Sequence, residues 1–371
     1  MPNDRRASWD GDSQGGARPL TKPQAEGTAR PSEPLRAQAE SRDLVGSLPA
    51  EACGGSITIG NFDGVHRGHQ AILQRLAQGA RERGHAAVAV TFDRHPRALL
   101  QPHAAPSPLS TLAQRVAWLQ MAGAQQVVVL PVTPHLLSLT AAEFFSQVVV
   151  ERLQARRVVE GPNFCFGKQR EGTLEVLARL CETAGIELEI VPAVQGNEEW
   201  ISSSRIRQMI QAGEVETAQA WLGHVYFLSG IVGRGAGRGR LHGFPTANLE
   251  QLATLCPAQG VYGGRAVVDG AVYRAAIHIG PNLTFDEHKP KVEVHLLDFV
   301  GDLYGRELSV SVERRLRALR RFDSPAELQQ QLVYDIARVR DELPLADPRQ
   351  WCPQELDDAA CGSARTCCNK A

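Results

Sequence analysis

From about residue 54 to 200 the chain alternates short apolar runs with stretches in which apolar side chains recur every three or four positions. The runs Ser56 to Ile59, Ala87 to Phe92, Gln126 to Leu130, Arg157 to Glu160 and Glu187 to Val191 have the length and apolar character of buried strands. Between them the spacing predicts helices over Gly68 to Arg83, Ser110 to Ala122, Ala141 to Leu153 and Thr173 to Ala184. Strand and helix in alternation predict an α/β half on a parallel sheet, with ligands at the carboxyl ends of its strands.

After Leu222-Gly223 the rhythm changes to β-rich segments: Tyr226 to Val232, Val261 to Val268, Val272 to Ile279, Lys291 to Phe299 and Glu307 to Glu313. Asp269-Gly270 between two of these is a tight hairpin signal. A helical pattern returns over Ser324 to Glu342, with Leu328, Leu332, Ile336 and Val339 on one face. Antiparallel strands with one helix predict a small β-barrel.

Composition adds limits. A chain of 371 residues suits two ordinary domains, and a net charge of −1 is too neutral for a general nucleic-acid binder. No apolar run is long enough to span a bilayer and no signal-peptide core is present, so a cytoplasmic protein with small-molecule partners is expected. Residues 1–48 are rich in Pro, Gly, Ser and charged side chains and read as a disordered tail; Asp4, Asp10, Asp12 and Glu26 speak against a transit peptide. Residues 344–371 read as a second such tail, in which Cys352, Cys361, Cys367 and Cys368 lack the spacing of a zinc site. Cys53, Cys165, Cys181 and Cys256 read as reduced thiols.

The most informative chemistry follows the first strand. Gly60-Asn61-Phe62-Asp63-Gly64-Val65-His66-Arg67-Gly68-His69 joins that strand to an amphipathic helix. Unpaired backbone N–H groups and the positive end of the helix dipole suit a polyphosphate there, and spacing of three brings His66 and His69 to one side of the turn. Two histidines without a third ligand make a metal the lesser reading. The loops after strands two and four, Thr91 to Pro96 and Gly161 to Arg170, converge on the same sheet edge, and Ile201-Ser202-Ser203-Ser204-Arg205-Ile206-Arg207 opens another helix with hydroxyls and arginines. The plain alternative for those serines is a helix cap. In the second half, the Gly/Arg-rich Gly233 to Gly243 leads into Phe244-Pro245-Thr246-Ala247-Asn248, and Glu293 shares a strand face with His295. Alone, Glu293 reads more readily as a solvated surface residue than as a functional one.

Taken together, these motifs over about residues 54 to 342 resemble the bacterial bifunctional riboflavin kinase/FAD synthetase family. The resemblance implies a Rossmann-like nucleotidyltransferase domain at 49–222, carrying FMN adenylyltransferase activity, and a riboflavin-kinase-like barrel at 223–343. It implies that riboflavin is phosphorylated to FMN and FMN is adenylylated to FAD, with ATP as co-substrate of both steps and Mg²⁺ as cofactor. By the same resemblance His66 and His69 are catalytic, Gly60, Phe62, Asp63, Gly68, Ser203, Ser204 and Arg207 contact ATP, and Asn163 lies near the flavin. Thr246 and Asn248 would hold ATP and Mg²⁺, Glu293 would be the base, Arg317 would contact flavin, and the Gly/Arg segment would be a flap. Two departures stand out: Leu283 replaces a proline after His278-Ile279-Gly280, and Leu319 replaces a glutamate after Leu316-Arg317. They keep open an adenylyltransferase with a silent kinase half, or a non-catalytic flavin-binding regulator.

Overall fold

The computed structural model describes residues 50–196, 199–234, 243–283 and 290–345. Both tails, most of the Gly233 to Gly243 segment and the four C-terminal cysteines lie outside the described residues.

The first half is built from β1 (Ser56–Ile59), α1 (Arg67–Arg83), β2 (Ala87–Phe92), α2 (Arg97–Leu100), α3 (Leu112–Met121), β3 (Gln126–Leu130), α4 (Pro134–Ser138), α5 (Ala141–Phe144), β4 (Arg157–Glu160), α6 (Leu174–Ala184) and β5 (Glu187–Ile190). The five strands form one parallel sheet in the order β3-β2-β1-β4-β5. Strand order therefore reverses beside β1, and the crevice this creates lies outside the carboxyl ends of β1 and β4. That geometry places the histidine turn and the loop after β4 on the same edge.

Local sequence explains the element ends. On α1, Leu73 and Leu76 are fully buried against the sheet, each contributing roughly 2 kcal/mol of apolar burial, and Gly84 closes the helix in the left-handed conformation at φ +64°. Thr111 and Gln114 form a reciprocal capping box at the start of α3. The predicted helix Ala141 to Leu153 is one helix that begins as α5 and winds as a π-helix over Phe145–Arg152.

Then come a two-residue hairpin, β6 (Gln195–Gly196) and β7 (Glu199–Trp200), and two helices, α7 (Ser203–Ala212) and α8 (Val215–Leu222). The barrel follows: β8 (Phe227–Gly233), β9 (Ala247–Glu250), β10 (Gly260–Val268), β11 (Ala271–Gly280), β12 (Lys291–Leu296), β13 (Glu307–Ser311), β14 (Arg314–Arg317) and the helix α9 (Pro325–Glu342). Strand neighbours run β11-β12-β9-β8-β13-β10, and β10 pairs back with β11, so the six strands close on themselves while β14 adds to β10. Asp269 and Gly270 take φ +51° and +77° in the two-residue turn between β10 and β11, as a hairpin of that hand requires.

The two halves share a core. Leu109, Ile206, Ile210, Val215, Ala218 and Trp221 pack in one apolar cluster with Tyr226, Leu228, Tyr262 and Val310 of the barrel. A small satellite core of Val261, Leu316, Val339 and Leu343 seats α9, with Leu319 packed against it.

Candidate active sites

The turn after β1 is held in an unfavourable shape. Phe62, Gly64 and Val65 all have positive φ, +45°, +77° and +34°, a region that costs a β-branched residue energy unless neighbours impose it. Those neighbours are visible. Ser110 Oγ accepts from Gly64 N–H at 3.2 Å, Gln70 Nε2 donates to Val65 O at 2.8 Å, and Ser203 Oγ donates to Asp63 O at 2.9 Å.

Asp63 is the hub beneath that turn. Its buried carboxylate accepts from Leu109 N–H at 3.0 Å, from Ser110 N–H and from Ser110 Oγ, and it is ion-paired with Arg207. Arg207 also donates through Nε to Ser107 O at 2.9 Å. Two expected ATP contacts therefore meet each other: Asp63 braces the site from below, and Arg207 arrives with much of its charge balanced. Ser202 is the cap of α7, accepting from Arg205 N–H, while Ser203 turns to the histidine loop and Ser204 is exposed. The plain cap reading thus belongs to Ser202 alone.

His66 is itself the cap of α1. Its Nδ1 accepts from His69 N–H at 3.3 Å, which leaves the remaining proton on Nε2. The two imidazoles stack with centroids 3.6 Å apart and planes 16° off parallel, and Phe62 meets His69 edge-on at 5.2 Å. Burial pushes the His66 pKa down to about 4, with Arg207 and His224 adding repulsion and its own backbone hydrogen bond opposing; burial holds His69 well below the usual imidazole range, with His66 and Arg115 adding repulsion. Both rings are neutral near pH 7 and act as directed dipoles. His69 Nδ1 is buried without a partner. Gly68, expected to contact ATP, faces the His66 ring, which a Cβ there would meet at 3.1 Å; a Cβ on Gly60 would meet Phe62 at 3.1 Å.

A cavity of about 470 Å³ opens beside this turn, lined by Asn61, Asp63, Asp93, Arg94, His95, Ser110, Arg115 and Ala253 among others. Arg115, on α3, donates to Phe92 O at 2.8 Å, and its Nε is buried without a partner. Burial lowers its pKa against the pull of Asp63 and Asp93. Sequence reasoning missed Arg115; a cation on the same helix as the buried Trp118 and Leu119 was the available signal. Asn163 is exposed in the loop after β4, while Phe164 and Phe166 stack on each other at 5.4 Å.

The barrel carries a second group. Glu293 on β12 is in register with Asn248 on β9 and with His278 on β11, so the three side chains lie in a row across one face, neighbouring Cβ atoms about 5 Å apart as in any antiparallel pair. Thr246 leads into β9. Asn282 Nδ2 reaches Glu293 Oε2 at 3.5 Å, and His295 Nδ1 lies 2.8 Å from Pro245 O. His278 has its pKa lowered by burial, against the attraction of Glu293, and its Nε2 is buried without a partner.

Arg317, expected at the flavin, is engaged within the protein. Its guanidinium meets the buried Asp335 on α9 through Nε and through Nη2 at 2.8 Å, and donates to Ala318 O through Nη1, so it braces β14 against the helix. Leu319 lies against Gly280, whose φ of +136° and lack of a Cβ make room for it. Among the described residues no group of three or more His, Cys, Asp or Glu side chains is placed to hold a metal ion, and no helix is long and apolar enough to cross a membrane.

Comparison with known proteins matches both halves. Residues 48–205 fit the family described as FAD synthetase, and residues 222–343 the family described as riboflavin kinase. The bifunctional riboflavin kinase/FMN adenylyltransferase of Pseudomonas fluorescens is 36% identical over 295 residues, covering 79% of this chain and 94% of its own. Its Escherichia coli K12 counterpart is 33% identical over 301 residues, covering 81% and 96%. A crystal structure from Streptococcus pneumoniae, described as a macrolide-efflux protein, superposes with a TM-score of 0.70 at 33% identity, over 80% of this chain and 96% of that one. The strained histidine turn, the oxygen-bearing row on a closed barrel and these matches agree, and the chain belongs to the bifunctional riboflavin kinase/FMN adenylyltransferase family.

Proposed function

We infer that the protein makes FAD in two ATP-dependent steps, phosphorylating riboflavin to FMN in the barrel and adenylylating FMN in the α/β half. The observation that carries this reading is the presence, in one chain, of the clamped histidine turn and the Asn248–Glu293 row.

In adenylyl transfer a phosphate oxygen of FMN attacks the α-phosphorus of ATP while the bond to pyrophosphate breaks. No covalent enzyme intermediate is needed, so positioning and stabilisation of developing charge dominate. The Nε2–H of His66 and the ring of His69 are poised to donate to phosphate oxygens, and the N–H groups at the start of α1 add to that cradle. Ser203 and Arg207 keep the turn in shape from α7, Ser204 faces outward to the triphosphate, and Arg115 is the cation on the cavity wall. Asn163 approaches from the loop after β4.

In riboflavin phosphorylation Glu293 accepts the proton of the ribityl hydroxyl as that oxygen attacks the γ-phosphorus of ATP and the bond from that phosphorus to the bridging oxygen breaks, releasing ADP. The Thr246 hydroxyl, just before β9, and the Asn248 side-chain oxygen on β9 are hard oxygen donors of the kind that would hold Mg²⁺. Mg²⁺ held there would neutralise charge on the ATP phosphates.

The test is chromatographic. Purified protein with riboflavin, ATP and Mg²⁺ is expected to give FMN first and FAD after it, and a parallel reaction from FMN to give FAD directly. FAD from supplied FMN alone would mean a silent kinase half; flavin binding without turnover in either reaction would mean a regulator.

A further inference from the structure

The clamp on the histidine turn has a member from outside the α/β half. His224 lies within the stretch that matches the riboflavin kinase family, one residue after Gly223, which ends α8 in the left-handed conformation. Its Nε2 sits 2.9 Å from Gly64 O, inside the turn, and its Nδ1 sits 2.9 Å from Val225 O, at the entry to the barrel. The ring is stacked on Trp118 of α3 at 3.8 Å, with planes 28° apart. Gln70 repeats the link, since the Nε2 that donates to Val65 O also donates to Leu222 O at 2.8 Å.

A ring nitrogen beside a carbonyl oxygen makes a hydrogen bond only when it carries the proton. Burial lowers the His224 pKa, so the ring is neutral near pH 7 with a single N–H, and with that proton on Nε2 it donates to Gly64 O and holds the turn. The two peptides it and Gln70 hold, Gly64 and Val65, are the ones immediately before His66, so their orientation sets where the His66 ring stands.

We propose that His224 is a positioning residue for adenylyl transfer, reaching from the kinase half to fix the Gly64 carbonyl and through it the histidine turn. The inference rests on the reading that this turn receives the ATP phosphates. It makes the first site depend on a residue that the second half contributes and that touches no reacting atom. A buried carbonyl stripped of its donor rotates or takes in water, and the strained residues on either side have lower-energy shapes to relax into.

The experiment uses full-length protein carrying His224→Phe, which keeps an aromatic ring on Trp118 but removes the ring N–H, and His224→Gln, whose amide supplies an N–H donor. FMN adenylylation and riboflavin phosphorylation are measured on the same samples, with His69→Ala as reference. In His224→Phe we expect kcat/KM for ATP in adenylylation to fall about tenfold or more, the scale of one lost hydrogen bond, carried mainly by KM, with phosphorylation within about twofold of wild type. His224→Gln should recover most of the loss. Adenylylation at the wild-type level in His224→Phe, or an equal fall in both activities, would overturn the assignment. If His69→Ala adenylylates normally, the reading of the turn itself fails and the inference falls with it; if His69→Ala is inactive and His224→Phe is not impaired, the inference alone falls.

Discussion

The two sites are built on opposite plans. In the α/β half the main polar groups of the histidine turn already have work within the protein: Asp63 holds two backbone N–H groups, a hydroxyl and Arg207, and His66 caps the helix it opens. In the barrel, Asn248 and Glu293 stand on adjacent strands with Thr246 just before the first, and one long contact, from Asn282, reaches Glu293. The first arrangement lowers reorganisation during reaction at a cost in strain, whereas the second leaves oxygen ligands free for ligands to gather. Substitutions should reveal the contrast, because residues of the first site carry stability as well as activity.

The largest effect is expected at Glu293. Glu293→Gln should slow riboflavin phosphorylation by roughly 10²- to 10⁴-fold, the usual span for loss of a general base, with adenylylation of supplied FMN and the unfolding midpoint unchanged. A kinase rate within twofold of wild type would remove the base from Glu293. Asp63→Asn should act differently, lowering adenylylation by about 10²-fold and stability by about 2 kcal/mol, since a half-buried guanidinium loses its charge partner. Denaturant unfolding decides this: a stable but inactive variant would make Asp63 a ligand contact instead of a brace.

Acid should also tell the halves apart. The folded His66 pKa of about 4 lies below its unfolded value of 6.5, so between those values the unfolded chain binds more protons. The stability associated with neutral His66 is complete above about pH 6.5 and is lost as pH falls towards 4, on the order of 2 kcal/mol by pH 5. His66→Asn should flatten that slope in urea titrations at pH 7 and pH 5; an unchanged slope would place the sensitivity at another group. The smallest effect is expected for Ser203→Ala, which removes one hydrogen bond to Asp63 O and should cost about 1 kcal/mol and several-fold in adenylylation, with phosphorylation as the internal control.

How much was legible in the sequence follows from how far apart the cooperating residues are. The first four strands of the α/β half begin and end where their apolar runs do, because buried parallel strands leave a continuous local signal. The four-residue strands β9 and β14 were missed: Thr246-Ala247-Asn248 drew attention as a ligand motif, and Arg314–Arg317 is mostly charged. Short α8 was missed as well. His66, His69 and Ser203 could be found because each stands beside a helix start. The hub role of Asp63 could not, since its partners Leu109, Ser110 and Arg207 come from other segments of the chain. Arg317 resembled a ligand contact in its motif, but its carboxylate partner lies on a helix the motif does not include.

The apolar cluster that runs from Ile206 and Trp221 into the barrel has a practical meaning for anyone wishing to separate the two activities. Cutting the chain after Leu222 divides it where the family matches divide, yet it leaves Ile210, Ala218 and Trp221 facing water on one fragment and Tyr226 and Leu228 on the other. Such fragments would emerge with complementary sticky faces. A calorimeter should accordingly register the described body of the intact protein as a single melting event, with the severed pieces prone to precipitate or to find each other again.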